Sequence, residues 1–244
     1  MIKFFRHIRR SLINENKMSK YFKYAIGEIL LVVLGILIAL QINNWNENRK
    51  NQQKVQEYYS QLLSDFNRDT STLNFNIKRL EKNIEAYDSY INKLKVQNLP
   101  LDTIWHHMKK IEFTSGKVEF NMQTFEAMES TGDLNMFPSE LRNALMALNT
   151  NQISYKEIAE NNDKVYIDLI KTNPLAFKDT YLNELKLQPN LYKNFDLEEQ
   201  LPTLMADLNQ ALRFKNFNAK VFLLSLNNIL NQTKELQRMI NDNQ

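Results

Sequence analysis

The sequence predicts an all-α protein in which one N-terminal transmembrane helix continues into a long helix and leads to an elongated outer helical bundle. Two observations predict this class. A single apolar run, Tyr24–Ile42, is followed by residues 46–97, which contain neither Gly nor Pro, and the apolar residues beyond it recur at helical spacing. No stretch alternates convincingly between polar and apolar residues, as a half-buried strand does.

The first element is a basic tail, residues 1–23. Seven Lys or Arg residues stand there against the single Glu15, a net charge of +6, whereas the rest of the chain carries a net charge of −3. Apolar residues recur every three or four positions among these cations, which predicts an amphipathic helix on the cytoplasmic leaflet. A short juxtamembrane helix without a regulatory role explains the same pattern. Since the basic excess is confined to the tail, we expect no nucleic-acid partner.

The second element is the transmembrane helix, residues 24–43. Between Ile29 and Leu40 there are ten Leu, Ile or Val residues. Together they favour insertion by roughly 3 to 6 kcal/mol, which outweighs the cost of Glu28 near the edge of the span. As a helix, Tyr24–Ile42 rises about 28 Å, close to the thickness of the hydrocarbon core of a bilayer. No small-x-small cleavage site follows, so we expect an uncleaved anchor.

Flanking charge predicts the orientation of this span. Seven basic residues precede it, whereas only Arg49, Lys50 and Lys54 follow it closely. The more basic flank stays in the cytoplasm, so we expect residues 44–244 to form an extracytoplasmic helical bundle. Trp45 stands where an interfacial aromatic anchor is expected.

The run Tyr24-Ala-Ile-Gly-Glu-Ile-Leu-Leu-Val-Val-Leu-Gly-Ile-Leu-Ile-Ala-Leu-Gln-Ile-Asn-Asn-Trp-Asn46 resembles the N-terminus of a family of uncharacterised bacterial single-span inner-membrane proteins, a domain of unknown function. The resemblance is specific over residues 1–50. Farther along, a helical pattern and Gly132-Asp133-Leu134 are similar to the family. The resemblance implies a bacterial inner-membrane location, with the C-terminal region in the periplasm and helical. It implies no activity, cofactor or catalytic residue.

Three residues of the span are candidates for intramembrane polar or packing contacts. Glu28 could pair with a basic residue of a neighbouring helix, or it could reach the headgroups from the first turn of the span. Gly35 and Ala39 form a small-xxx-small pair, which allows two helices to approach closely. Such pairs are common in apolar helices.

The long helix carries a heptad seam from Leu73 to Leu94 and ends at Asn98-Leu-Pro100, because Pro cannot continue the hydrogen-bond ladder. Asp69 interrupts the phase of the seam, which resembles a stutter in a coiled coil. Two uses of the seam compete. In the first, it packs within one chain against an antiparallel second long helix. In the second, it packs against the same helix of another copy. We expect the bundle, with self-association through the span and residues 55–66 in a homo-oligomer.

The remaining helices follow from caps and breakers. We expect a helix from Asp102 to about Glu112 and another over Gln123–Ser130, stopped by Gly132. Pro138 opens a second long helix, residues 172–202 form a loop with short helical turns, and a last helix runs from about Pro202 to Ile240. Long amphipathic helices must bury their apolar stripes against one another.

No catalytic or metal-binding constellation is recognisable. With three His and no Cys, a protein zinc site would need carboxylates, and His106 and His107 diverge on a helix. Four Gly are too few for a glycine-rich nucleotide site. We therefore expect no cofactor and no metal. The best candidate partner surface comprises Trp105, Phe113, Phe120 and Phe125; the alternative is that these rings cover the bundle core.

These observations predict a membrane-anchored, non-enzymatic helical protein of the bacterial envelope that binds the lipid bilayer and an envelope protein, or scaffolds an assembly. The alternative is a ligand-sensing accessory protein that signals through a separate effector, because about 23 cytoplasmic residues are too few for an output domain. An enzyme is disfavoured.

Overall fold

The computed structural model describes residues 18–108, 110–112, 116–173, 187–194 and 196–243. This part of the chain is helical and contains no strand, which confirms the all-α prediction. The elements are α1 (Met18–Leu94), α2 (Leu101–Met108), α3 (Gln123–Thr131), a 3₁₀ turn (Asp133–Met136), α4 (Ser139–Ile170), α5 (Pro189–Asn194) and α6 (Leu197–Asn243).

The chain divides into two units, and the boundary falls within α1. Unit 1 is Met1–Glu57 and unit 2 is Tyr58–Gln244. The described apolar residues of unit 1 are exposed from Ile29 through Ile42, and no Cβ neighbour lies within 4 Å of Gly35. One helix near the N-terminus is therefore long and apolar enough to span a membrane.

The core of unit 2 is built from the C-terminal part of α1 together with α4 and α6. The predicted seam on α1 buries Leu73, Ile77, Leu80 and Tyr87 inside this unit. The seam therefore packs within the chain. The other helices contribute their own stripes, which include Leu141, Leu145, Leu148, Tyr155 and Ala159 on α4 and Leu208, Leu212, Phe222, Leu226, Ile229 and Leu236 on α6.

Three side chains predicted to mediate self-association are buried in the same core. Tyr59, Leu62 and Phe66 are inaccessible, and the Tyr59 ring packs edge-on against Phe137, with centroids 5.4 Å apart. The segment 55–66 therefore cannot present these side chains to a second copy, because the chain covers them itself.

α4 and α6 are antiparallel neighbours. In the first half of α4, Asn151 Nδ2 donates to Gln232 Oε1 (2.9 Å). Beyond the end of α4, Asn173 Nδ2 donates to the backbone oxygen of Leu204 (2.7 Å). The contacts move backward along α6 as the chain advances along α4.

α6 is also antiparallel to α1, so α1 and α4 run in the same direction. Gln237 Nε2 donates to Asn67 Oδ1 (2.9 Å), and Tyr90 donates its hydroxyl hydrogen to Asn209 Oδ1 (3.3 Å). The prediction of an antiparallel second long helix was wrong. The chain returns before α4 begins: Glu112, Asn121 and Asp133 hydrogen-bond successively earlier positions of α1, so these described residues run back alongside it.

Predicted helix bounds also differ from the structure: α1 ends at Leu94, before the predicted stop at Asn98-Leu-Pro100. α2 ends at Met108, before the predicted Glu112, and α6 begins at Leu197 instead of Pro202. A proline in the second turn removes one backbone hydrogen bond, and α6 accommodates that loss early in its length. Within the predicted loop 172–202, residues 174–186 lie outside the described part of the chain.

Candidate functional site: a buried polar stripe on the first helix

A stripe of polar side chains on α1 holds the returning chain. We call Tyr58, Asp65, Asp69 and Asn83 the polar stripe, and residues 110–112 and 116–137 the return segment. Asn83 pairs reciprocally with the backbone of Glu112, donating from Nδ2 to its oxygen (2.9 Å) and accepting from its N–H (2.8 Å). This pairing satisfies both backbone groups of a non-helical residue.

Asp69 is the most buried member of the stripe, with no exposed surface. Its Oδ1 accepts hydrogen bonds from the backbone N–H (2.9 Å) and side-chain Nδ2 (2.7 Å) of Asn121. Its Oδ2 accepts from Gln152 Nε2 (3.3 Å) on α4. One carboxylate therefore joins α1, the return segment and α4.

Asp65 lies one turn before Asp69 and anchors the start of α3. Thr124 donates its hydroxyl hydrogen to Asp65 Oδ2, and Arg68 pairs with Oδ1 from the solvent side. A carboxylate close to the first turn of a helix also interacts favourably with the positive end of the helix dipole.

The Gly132-Asp133-Leu134 sequence forms the corner between α3 and the 3₁₀ turn. Gly132 adopts a left-handed conformation (φ 75°) and caps α3 with its N–H, a geometry that favours glycine. Asp133 is buried and accepts hydrogen bonds from Tyr58 (2.7 Å) and Thr131. Tyr58 thereby joins this corner to α1.

A second polar group holds the return segment against α4 and α6 at Gly116. Its N–H donates to Asp163 Oδ1 (3.2 Å), and its oxygen accepts from the Tyr155 hydroxyl (2.6 Å). Asp163 also pairs with Lys215 of α6 (3.0 Å), whose ammonium lies 4.8 Å from the centroid of the Tyr166 ring. Burial raises the pKa of both tyrosines well above the ordinary value.

Both groups hydrogen-bond the backbone of the return segment. The lone pairs of Asp69 face protein donors, and its carboxylate is inaccessible to solvent, so it cannot reach a substrate in this conformation. Among the described residues, no cluster of three or more His, Asp or Glu could hold a metal ion. The polar stripe therefore positions the return segment on α1.

Comparison with known proteins places the chain in a family. A family of unknown function (DUF6090) matches residues 28–171, more than half of the chain. The chain belongs to this family. No curated protein and no solved structure matches significantly. The DUF6090 match begins inside the apolar run and extends through α4, well beyond the residues 1–50 on which the resemblance rested.

The DUF6090 match includes the whole polar stripe, although sequence reasoning did not select it. Asp69 was recognised only as an interruption of the heptad seam. The available signal was the pair Asp65 and Asp69, spaced four residues apart beside buried apolar positions. Such a pair predicts either a solvated face or buried acceptors, and only the position of Asn121 distinguishes the two.

The predicted residues of the span lie on the exposed apolar part of α1. Gly35 and Ala39 have no packing partner in the described part of unit 1, and Glu28 is partly exposed. Their roles in contacts between membrane helices remain predictions, because the structure contains a single chain.

Two of the four rings in the predicted aromatic partner surface are buried. Phe120 and Phe125 are buried, and the Phe120 ring lies 6.0 Å from the Tyr155 ring. Trp105 is partly buried against a cluster that includes Tyr90 and Leu208. Phe113 lies outside the described residues. Phe120 and Phe125 are therefore covered by the chain itself and are not presented to a partner in this conformation.

The buried carboxylate predicts a pH dependence of stability in this DUF6090 protein. Burial raises the pKa of Asp69; the hydrogen bonds from Asn121 and Gln152 oppose this effect, and the charge of Asp65 adds to it. Between the ordinary and the raised value, the folded protein holds a proton that the unfolded chain releases. The contribution of Asp69 to stability therefore increases as the pH falls through this window.

The Asp69→Asn variant tests this prediction. Free energies of unfolding of the wild type and the variant are measured from neutral pH to about pH 4. The free energy of unfolding of the wild type, relative to that of the variant, should increase as the pH falls. A constant difference, or a shift in favour of the variant, would contradict the raised pKa.

Proposed function

We propose that this DUF6090 protein is a membrane-anchored, non-enzymatic helical protein of the bacterial envelope that binds a partner protein or scaffolds an assembly. The observation that carries this proposal is the exposed apolar surface of α1 in unit 1. Large aliphatic side chains from Ile29 to Ile42 surround the helix on every side and are not covered by the chain. Soluble proteins rarely expose such a surface, whereas a bilayer accommodates it.

The charge distribution supports an orientation with the N-terminus in the cytoplasm and unit 2 in the periplasm. The N-terminal flank of the apolar run is strongly basic, and the positive-inside tendency retains such a flank on the cytoplasmic side. At the other end, the Arg49 guanidinium lies 5.9 Å from the centroid of the Trp45 ring. An aromatic ring and a cation together suit a membrane interface.

The surface of unit 2 supports binding of a macromolecule better than chemistry on a small one. A groove of about 140 Å³ between α4 and α6 is lined by Ser154, Tyr155, Val221 and Phe222 among others. Small-molecule sites usually enclose roughly 300 to 1,000 Å³. The groove is shallow, and the carboxylates described above do not line it.

Cysteine labelling tests the anchor and its orientation, because the chain contains no Cys. We expect a membrane-impermeant maleimide to label Leu187→Cys, a highly exposed position of unit 2, in intact spheroplasts. Ser11→Cys in the basic tail should react only after lysis. The reverse pattern would contradict the orientation, and a mature protein that lacks residues 1–43 by mass spectrometry would contradict the anchor.

Crosslinking of the full chain in membranes, followed by mass spectrometry, tests the assembly role. A reproducible protein partner, either another protein or a second copy, supports it. A partner that crosslinks only when a small ligand is present would instead favour the sensing role. Monomeric chain under all conditions would contradict both.

A further inference from the structure

We propose that an apolar surface on α4 and α6 pairs with the same surface of a second copy of this chain. The surface comprises Ile158 and Val165 on α4 and Phe217, Val221 and Leu224 on α6; we call it the α4–α6 face. All five side chains are substantially exposed, up to 74% for Leu224. The inference names a partner for the assembly role and rests on that proposed function.

The five residues form one surface because of the antiparallel packing of the two helices. Ile158 and Val221 line the same shallow groove from opposite sides. Phe217, Val221 and Leu224 follow at spacings of four and three residues, so they lie along one side of α6. Val165 lies two turns from Ile158 on the same side of α4.

The α6 half of the surface is nearly uncharged, which favours a second copy over a charged partner. Between Asn216 and Thr233, an 18-residue stretch of α6, Lys220 is the only charged residue. Its ammonium lies 3.6 Å from Asp88 of α1. In a two-fold interface each residue meets the same surface of its partner, so unbalanced charge would repel its own copy. The nearly neutral apolar stripe of α6, with Asn and Ser at its edge, avoids this repulsion.

The exposed area is consistent with a modest dimer. From their exposed fractions, the five side chains present roughly 500 Å² of surface, at the upper end of what a monomer usually shows. Pairing two copies would bury about 1,000 Å² from these residues, near the lower limit of specific interfaces. Asn151, Ser154 and Asn228 border the groove and add polar area that can hydrogen-bond across the interface. Anchoring to a membrane would raise the local concentration of copies and favour such a dimer.

Disulfide crosslinking of the full-length chain in membranes tests the pairing. Val221→Cys and Leu224→Cys are each oxidised with copper phenanthroline, and dimers are quantified on non-reducing gels. Because disulfides require Cα atoms within about 7 Å, residues near the two-fold axis should crosslink to themselves. Phe75→Cys is the matched control, since Phe75 is 66% exposed but lies on α1 of the same unit. We expect crosslinking at the two α6 positions to exceed that at Phe75 by at least about tenfold.

A second substitution shows whether the crosslink depends on the face. Added to Leu224→Cys, Phe217→Glu should reduce the dimer at least about tenfold by placing like charges against each other, whereas Phe217→Leu should retain most of it. Circular dichroism confirms that both variants are folded. Equal crosslinking at Phe75, no crosslinking on α6, insensitivity to Phe217→Glu, or crosslinking to a different protein would each overturn the proposal. The maleimide experiment on Leu187→Cys tests the anchor separately, so failure of the pairing is distinguishable from failure of the proposed function.

Discussion

Replacement of Asp69 by Ala should reduce the free energy of unfolding of unit 2 by about 3 to 4 kcal/mol. The variant leaves three donors without an acceptor: two from the partly buried Asn121 and one from the buried Gln152. Each unsatisfied buried donor costs roughly 1 to 3 kcal/mol, and the structure can recover only part of this through water or relaxation. The expected loss is large because Asp69 joins three segments at once.

Asp69→Asn should be tolerated far better, changing stability by less than about 1.5 kcal/mol at neutral pH. Its amide oxygen can still accept from Asn121, and its new NH₂ group can donate to Gln152 if that side-chain amide rotates to present its oxygen. The variant also removes a buried charge whose desolvation is costly. The contrast between the two substitutions separates the need for an acceptor from the need for a charge.

Urea unfolding of the full chain in detergent measures both effects. Trp105 packs against the unit 2 core, so its fluorescence reports on this unit when Trp45 is replaced by Phe. Asp88→Ala is the matched control, because Asp88 is an exposed carboxylate on the same helix and should cost less than about 1 kcal/mol. A mild loss in Asp69→Ala, or equal losses in the Ala and Asn variants, would show that the carboxylate does not hold the return segment.

Gly116→Ala should destabilise unit 2 by about 1 to 3 kcal/mol, although it adds only one methyl group. A Cβ at this position would lie 2.6 Å from the ring of Phe222, far inside van der Waals contact. The ring cannot move away easily, since Phe222 is buried and packs at 5.3 Å from the Tyr155 ring. Moving the backbone instead would stretch the hydrogen bonds that Gly116 makes to Tyr155 and Asp163.

A double-mutant cycle tests this steric explanation. Phe222→Leu alone should lower the free energy of unfolding of unit 2, because it leaves a cavity. In the Gly116→Ala background the same substitution should lower it less, because the smaller side chain relieves the clash. Gly35→Ala serves as the control, since nothing lies within 4 Å of a Cβ there. Strictly additive effects of Gly116→Ala and Phe222→Leu would refute a clash between these two residues.

The helices themselves were predictable because their signals are local. Absence of Gly and Pro, together with a stop at Pro100, predicts a long helix that the structure ends at Leu94. The apolar spacing from Leu73 onward selects the face that α1 buries. The sequence could not distinguish packing of that face within the chain from packing against a second copy, because both require the same apolar side chains.

The course of the chain between the long helices was not predictable in this way. Short helices were predicted where α2 and α3 lie, although α2 ends before the predicted Glu112. The return of the described residues alongside α1 depends on pairings such as Asp69 with Asn121, which are 52 residues apart. A polar residue beside an apolar seam looks the same whether it faces water or a buried donor. For this reason Asp65 and Asp69 escaped selection, and four aromatic rings of the predicted partner surface included two that are buried.

The amino-acid sequence by itself determined the helical class, the apolar run that suits a membrane and the faces that helices bury, because each follows from composition and periodicity over neighbouring residues. Only the tertiary structure decided that α1 and α4 are parallel, that carboxylates on α1 bind the return segment, and that the α4–α6 face stays uncovered. These features depend on which distant segments meet, and the free energies that select them arise from contacts that no local pattern encodes.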